Sequence, residues 1–134
     1  MRILWIPCLL SLFVIACADS NKTLPVTGNV TFDGAPVGDG NDALIRFEPT
    51  TAKGNTGESF LKEGKYQVNL VEGSYKVLVT WNKSTGKKQK SAIAGPGQET
   101  AQTITLIPPK YNSETTLTAE VNSGKLTHNF DLKK

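Results

Sequence analysis

Cys17 closes the apolar run in "LFVIACADSN", and the chain turns polar immediately after it. A cysteine thiolate is a nucleophile, so its surroundings decide whether it is a buried thiol, half of a bridge or a point of attachment. Few other residues have types and spacing that could do chemistry. Ser84 and Lys87 have the Ser-x-x-Lys spacing that sets a lysine one helical turn from a serine nucleophile. They stand in the Lys- and Gly-rich stretch "NKSTGKKQKSAIAGPGQETAQ", in a chain with no helix-period run after residue 20, and the enzymatic reading is set aside. Asp39, Asn41 and Asp42 in "DGND" offer oxygens to calcium, but that ion takes six to eight ligands and no glutamate at loop position 12 completes an EF-hand. A turn held by Asx side chains is expected there. His128 is the only histidine, and nothing in the sequence sets a hydroxyl and a carboxylate around it as a triad requires. It reads as a packed or sheet-edge histidine. No catalytic residue, cofactor or metal ligand is assigned.

The surroundings of Cys17 point to attachment. Arg2 supplies a positive start, and the 13 residues from 3 to 15 carry no charge. A spanning helix needs roughly 20 apolar residues to cross about 30 Å. The run is short for that and has the length of a signal-peptide core. Val14-Ile15-Ala16-Cys17 resembles the bacterial lipobox: an aliphatic residue, a tolerant position, a small residue, then cysteine. The resemblance implies cleavage before Cys17 and acylation of its sulfur and new amino group. Residues 1–16 are then a lipoprotein signal peptide, 17–24 a lipidated polar tether, and 25–134 the folded domain. The competing readings are an uncleaved apolar helix and a Cys8–Cys17 disulfide, the latter disfavoured because both cysteines lie in one targeting segment. Acyl chains contribute about 0.8 kcal/mol per buried methylene, so two or more make a stable anchor. The expected location is the bacterial cell envelope, held to a membrane on its periplasmic or outer face.

Charge narrows the partners. Fifteen basic and 12 acidic residues give +3, too mild for a nucleic-acid binder without a clustered basic face. Lys83, Lys87, Lys88 and Lys90 do cluster locally. Anionic lipid or an acidic envelope polymer would be drawn to them, although a solvated loop is the plainer reading. Tyr111, in a loop after Pro108 and Pro109, is the better surface aromatic for stacking on a sugar, whereas Trp81 belongs to an inward row.

The elements that position these residues are strands. In "PVTGNVTFD", Val26, Gly28, Val30 and Phe32 share a face, and Asp33-Gly34 ends the run as a turn. Ala43, Ile45 and Phe47 form a second row that Pro49 stops, and "ESFLK" is a short strand candidate before Glu63-Gly64. Tyr66, Val68 and Leu70 form the next row; Glu72-Gly73 then leads to Tyr75, Val77, Val79 and Trp81, and the pair reads as a β-hairpin. Residues 82–102 read as a long exposed loop. Strand character returns at 103–107, at Leu117, Ala119 and Val121, and at Leu126, His128, Phe130 and Leu132. Seven or eight short strands with one apolar face each bury those faces by stacking two sheets.

Together, "PVTGNVTFDGAPV", "GKYQVNLVEGSYKVLV", "LIPPKYNSETTLTAEV" and "HNFDLK" resemble the transthyretin-like, carboxypeptidase regulatory-like domains of small bacterial lipoproteins. The resemblance covers about residues 24–133. It implies a Greek-key β-sandwich in the envelope and no enzymatic activity. One departure stands out: related sequences often carry an acidic D-x-D-G before the strand of Tyr66, and here those positions are Leu61-Lys62-Glu63-Gly64. A metal at that turn would lack its ligands. The expected function is a non-enzymatic, lipid-anchored envelope protein with a structural or protein-binding sandwich. The alternative is a carbohydrate- or small-ligand-binding envelope module, for which Tyr111, Lys87, Lys88 and Lys90 are the candidate contacts.

Overall fold

The computed structural model describes residues 22–90, 93 and 95–134; the expected signal peptide, Cys17 and most of the tether lie outside the described residues. Within them the chain is all-β. Its strands are β1 (Thr23–Phe32), β2 (Ala35–Pro36), β3 (Asp39–Pro49), β4 (Gly57–Lys62), β5 (Lys65–Val71), β6 (Gly73–Lys90), β7 (Glu99–Thr105), β8 (Thr118–Val121) and β9 (Phe130–Leu132), with a 3-10 turn at Pro109–Tyr111. They form one curled sheet in the order β2-β1-β5-β4-β3-β6-β7, with β8 also on β6 and β9 on β1. All pairings are antiparallel except β1 with β9.

The period-two rows set the register. Val26 and Val30 on β1, Ile45 and Phe47 on β3, Val68 and Leu70 on β5, and Tyr75, Val77 and Val79 on β6 are buried, while their neighbours face outward. A one-residue slip would turn each row to water, so burial of these side chains fixes the pairing. The rings of Phe47 and Tyr75 meet edge-on at 6.4 Å in the middle of this core. Two of the turns have φ above zero at both central residues: Asp33 (50°) with Gly34 (83°), and Glu63 (51°) with Gly64 (77°). That is the type I′ geometry whose twist suits two-residue hairpins, here joining β1 to β2 and β4 to β5.

The hairpin expected across Glu72-Gly73 does not form. β5 lies between β1 and β4, whereas β6 lies beside β3 and β8. The main chain of Val71 is already occupied: Tyr75 donates its hydroxyl to the Val71 carbonyl at 2.7 Å, and the Val71 N–H goes to Asn55 Oδ1 at 2.8 Å. Asn55 also donates to the Asn69 carbonyl. With Gly73 at φ 154°, the chain turns a corner and leaves β5's partners behind. A tyrosine hydroxyl that reaches back a few residues in this way is the tyrosine corner.

The loop expected over residues 82–102 is also replaced. β6 runs on to Lys90 and pairs with β7, so strand spans most of that stretch. Alternation failed to reveal it because every residue from 82 to 90 and from 99 to 105 is exposed, leaving no buried face to write a period into the sequence.

The C-terminal segment runs parallel beside β1. Thr27 N–H donates to the Leu126 carbonyl and His128 N–H to the Thr27 carbonyl, both at 2.9 Å, and Tyr66 donates its hydroxyl to the His128 carbonyl at 2.7 Å. Gly28 sits against its backbone. A Cβ there would stand 1.8 Å from the His128 carbonyl oxygen, which is why a strand interior carries glycine at this point.

Candidate functional site

The most prominent surface feature is the two-stranded ribbon of β6 and β7. The register runs from Asn82 opposite Thr105 to Lys90 opposite Glu99, with a shift between Ser84 and Lys88. Gly86, at φ 74°, lies inside that shift. Thr85 donates its hydroxyl to the Gln102 carbonyl at 3.1 Å and fastens the bulged strand to its partner. At the foot, Thr105 donates to Asn82 Oδ1 at 2.8 Å and Leu106 N–H donates to the Trp81 carbonyl at 2.8 Å. The lysine cluster of the sequence is thus a set of strand residues. Lys88 and Lys90 lie two apart beyond the shift and so share a face, Lys83 lies before it and Lys87 within it. The four lysines against Glu99 leave the ribbon at a formal +3. Lys88 and Glu99 approach to 3.8 Å, but both are largely exposed, and such a pair contributes little.

Trp81, at the last core position of β6, anchors the ribbon's base. It is half-buried, and its indole N–H donates to Asp42 Oδ2 at 2.9 Å. Asp42 Oδ1 accepts the Asp39 N–H at 3.0 Å. The Trp81 hydrogen bond, more than any other influence, holds the Asp42 carboxyl below its ordinary pKa. The "DGND" stretch is thus not the turn the sequence suggested: it opens β3, where the register against β4 shifts between Asp39 and Leu44 and the Asp42 carboxylate holds the Asp39 N–H. Among the described residues no group of three or more His, Cys, Asp or Glu is placed to hold a metal ion.

A cleft of about 730 Å³ opens beside the ribbon's foot. Leu78, Leu106, Ile107 and Pro108 give it an apolar wall, and Asn82, Asn112 and Lys134 offer polar groups at its rim. Tyr111 does not contribute a free ring. It is half-buried against the core, its hydroxyl accepts the Lys133 N–H at 2.9 Å, and Lys110 Nζ sits 5.1 Å from its ring centre. The structure therefore separates the sequence's two surface candidates: the lysines are exposed on the ribbon, while Tyr111 ties the C-terminus to the 3-10 turn.

The remaining motifs take structural places. Ser84 and Lys87 lie in extended β6, so the one-turn helical geometry of a serine–lysine pair is not formed; the Ser84 hydroxyl accepts the Gly86 N–H at 3.3 Å. His128 is 7% exposed, and among the described residues its Nε2 has no hydrogen-bond partner. Burial holds its pKa below the ordinary value, against a raising contribution from a hydrogen bond to the Lys125 backbone. Cys17 lies outside the described residues. Reading the sequence placed strand character at 103–107 and so caught only the last three residues of β7, although Thr100 is also β-branched. The chain matches no family model, no curated protein and no solved structure.

Proposed function

We propose that the protein is a lipid-anchored, non-enzymatic component of the bacterial cell envelope whose β-domain binds another envelope protein. The anchor rests on the lipobox-like Val14-Ile15-Ala16-Cys17 and on the short uncharged run before it. The observation that carries the binding role is the ribbon: 16 exposed residues of paired strand, basic and joined to the core through Trp81. A two-stranded ribbon without a buried face is marginal in water by itself, and a surface of that kind serves contact better than stability. We further propose that the curled sheet is a Greek-key sandwich of the transthyretin-like type. The tyrosine corner at Tyr75, a feature of Greek-key sandwiches, supports this reading.

Crosslinking in intact cells, with the Cys17→Ser chain as comparison, tests the function. A protein partner captured by the anchored chain and lost when the chain is released supports the reading; capture that does not depend on Cys17 contradicts it. A second reading, a carbohydrate- or small-ligand-binding module, draws on the cleft, whose apolar wall and amide rim suit a partly polar molecule. A glycan array decides for it if a glycan binds and Asn82→Ala abolishes the signal.

A further inference from the structure

The ribbon's two edges are not equivalent. Over Asn82–Lys90 β6 pairs with β7 alone among the described residues, its pairing with β3 ending at Trp81, and β7 in turn pairs only with β6, so both strands of the ribbon are edges and they differ in their residues. Alternate residues of β7 therefore turn N–H and C=O groups to an open edge seven residues long. Natural edge strands are usually guarded by lysine, proline or an inward charge. "ETAQTIT" has none of the three: its one charge, Glu99, is at the end, and four of its residues are β-branched. All four lysines of the ribbon sit on β6 and none on the β7 edge. There they do not block pairing at the edge but give any incoming strand a positive neighbourhood.

We propose that the β7 edge is a docking site for an extended, acidic segment of a partner protein, which adds to the ribbon as a further strand. This deepens the protein-binding reading and rests on it. Main-chain hydrogen bonds supply the attachment, and carboxylates that reach over Ala101, the β7 residue opposite Lys88, toward Lys88 and Lys90 supply the choice of partner. Charge selects against a second copy of this chain, because its own β7 would bring another +3 ribbon. An anionic lipid surface would need the lysines but not an unguarded strand edge, so the edge favours a peptide.

The test uses the full chain, carrying its Cys17 acyl groups, in nanodiscs of phosphatidylcholine. Amide hydrogen exchange is followed with two synthetic ten-residue peptides, one alternating valine and glutamate, the other valine and lysine. The glutamate peptide should slow exchange of the amides at 99–105 about tenfold, and the lysine peptide should not. In the Lys88→Glu/Lys90→Glu double variant the preference should reverse. Both substitutions are on exposed positions, and an unchanged exchange pattern in the core confirms that the variant is folded. Equal protection by both peptides, protection confined to other strands, or protection that appears without peptide as the chain is concentrated would each overturn the inference. So would protection given by phosphatidylglycerol nanodiscs and by neither peptide. Intact mass of the same sample reports the acyl groups separately, so loss of the anchor and failure of the edge are told apart.

Discussion

Replacing Gly28 with alanine places a methyl group where the C-terminal segment packs against β1. The new Cβ would lie 1.8 Å from the His128 carbonyl oxygen, 2.7 Å from its carbon and 2.8 Å from Tyr66 Oη. Real Cβ contacts do not fall below 3.0 Å, so the C-terminal segment must withdraw by roughly 1.2 Å, and the obstacle is backbone that cannot rotate aside. Three hydrogen bonds hold it there: Thr27 N–H to Leu126, His128 N–H to Thr27 and Tyr66 to His128. At about 1 kcal/mol each, with more for any group left buried and unpaired, the loss comes to about 3–5 kcal/mol. Since a kilocalorie moves the midpoint of a domain of this size by about 4–8 °C, the melting temperature should fall by more than about 10 °C. Two other glycines calibrate the scale. At Gly57 the new Cβ meets the side-chain ends of Leu70 and Val68 at 2.6 Å, which can turn away, and the cost should be about 1–2 kcal/mol. At Gly124 the nearest atom is Asn122 Oδ1 at 3.3 Å, and the change should stay within about 1 kcal/mol. Urea unfolding followed by circular dichroism reads all three. A Gly28→Ala chain as stable as Gly124→Ala would refute the close packing of the 126–130 segment against β1.

Tyr75→Phe removes the corner hydrogen bond to Val71 and should lower stability by about 1–3 kcal/mol in the same assay; an unchanged midpoint would mean that the corner is not what turns the chain. His128 has a folded pKa below its ordinary 6.5, so below that pH the unfolded chain takes up the proton first. Stability should therefore fall as pH drops from about 6.5 toward the lowered folded value, and His128→Leu should flatten that slope; a midpoint that rises on acidification across this window contradicts the buried, neutral imidazole. Asp42→Ala leaves the Trp81 indole N–H without its acceptor and should cost about 1 kcal/mol. In a Trp5→Phe background, where Trp81 is the one tryptophan, its fluorescence should change with the substitution, and an unaltered spectrum would count against the contact.

Much of this fold could be read from period-two alternation, and the misses have a common cause. The rows at Val26 and Val30, Ile45 and Phe47, and Tyr66, Val68 and Leu70 face inward as their spacing indicates, and Asp33-Gly34 and Glu63-Gly64 turn the chain. Alternation tells which face of a strand is buried but not which strand lies beside it. The nine-residue spacing of Glu63-Gly64 and Glu72-Gly73 suggested neighbours, yet the decision belongs to Tyr75, whose hydroxyl takes the Val71 carbonyl. Local spacing does not reveal this, because Tyr66 also stands two residues after a turn glycine and there the β4–β5 hairpin forms. The ribbon escaped notice for the opposite reason: with both faces in water, Lys83 to Lys90 keep a loop-like composition while hydrogen bonds to β7 make them strand. Tyr111 was misplaced as a surface ring because its partners, Lys133 N–H and the core, come from distant parts of the chain.

The attachment at Cys17 is tested most directly by intact mass analysis of the protein purified from bacterial membranes. The mature chain should begin at residue 17, with Met1 to Ala16 removed, and should weigh more than its amino acids by a diacylglycerol on sulfur and, where the host adds one, an acyl group on the new amine. A chain that keeps Met1, starts at another residue, or carries no lipid would contradict the account.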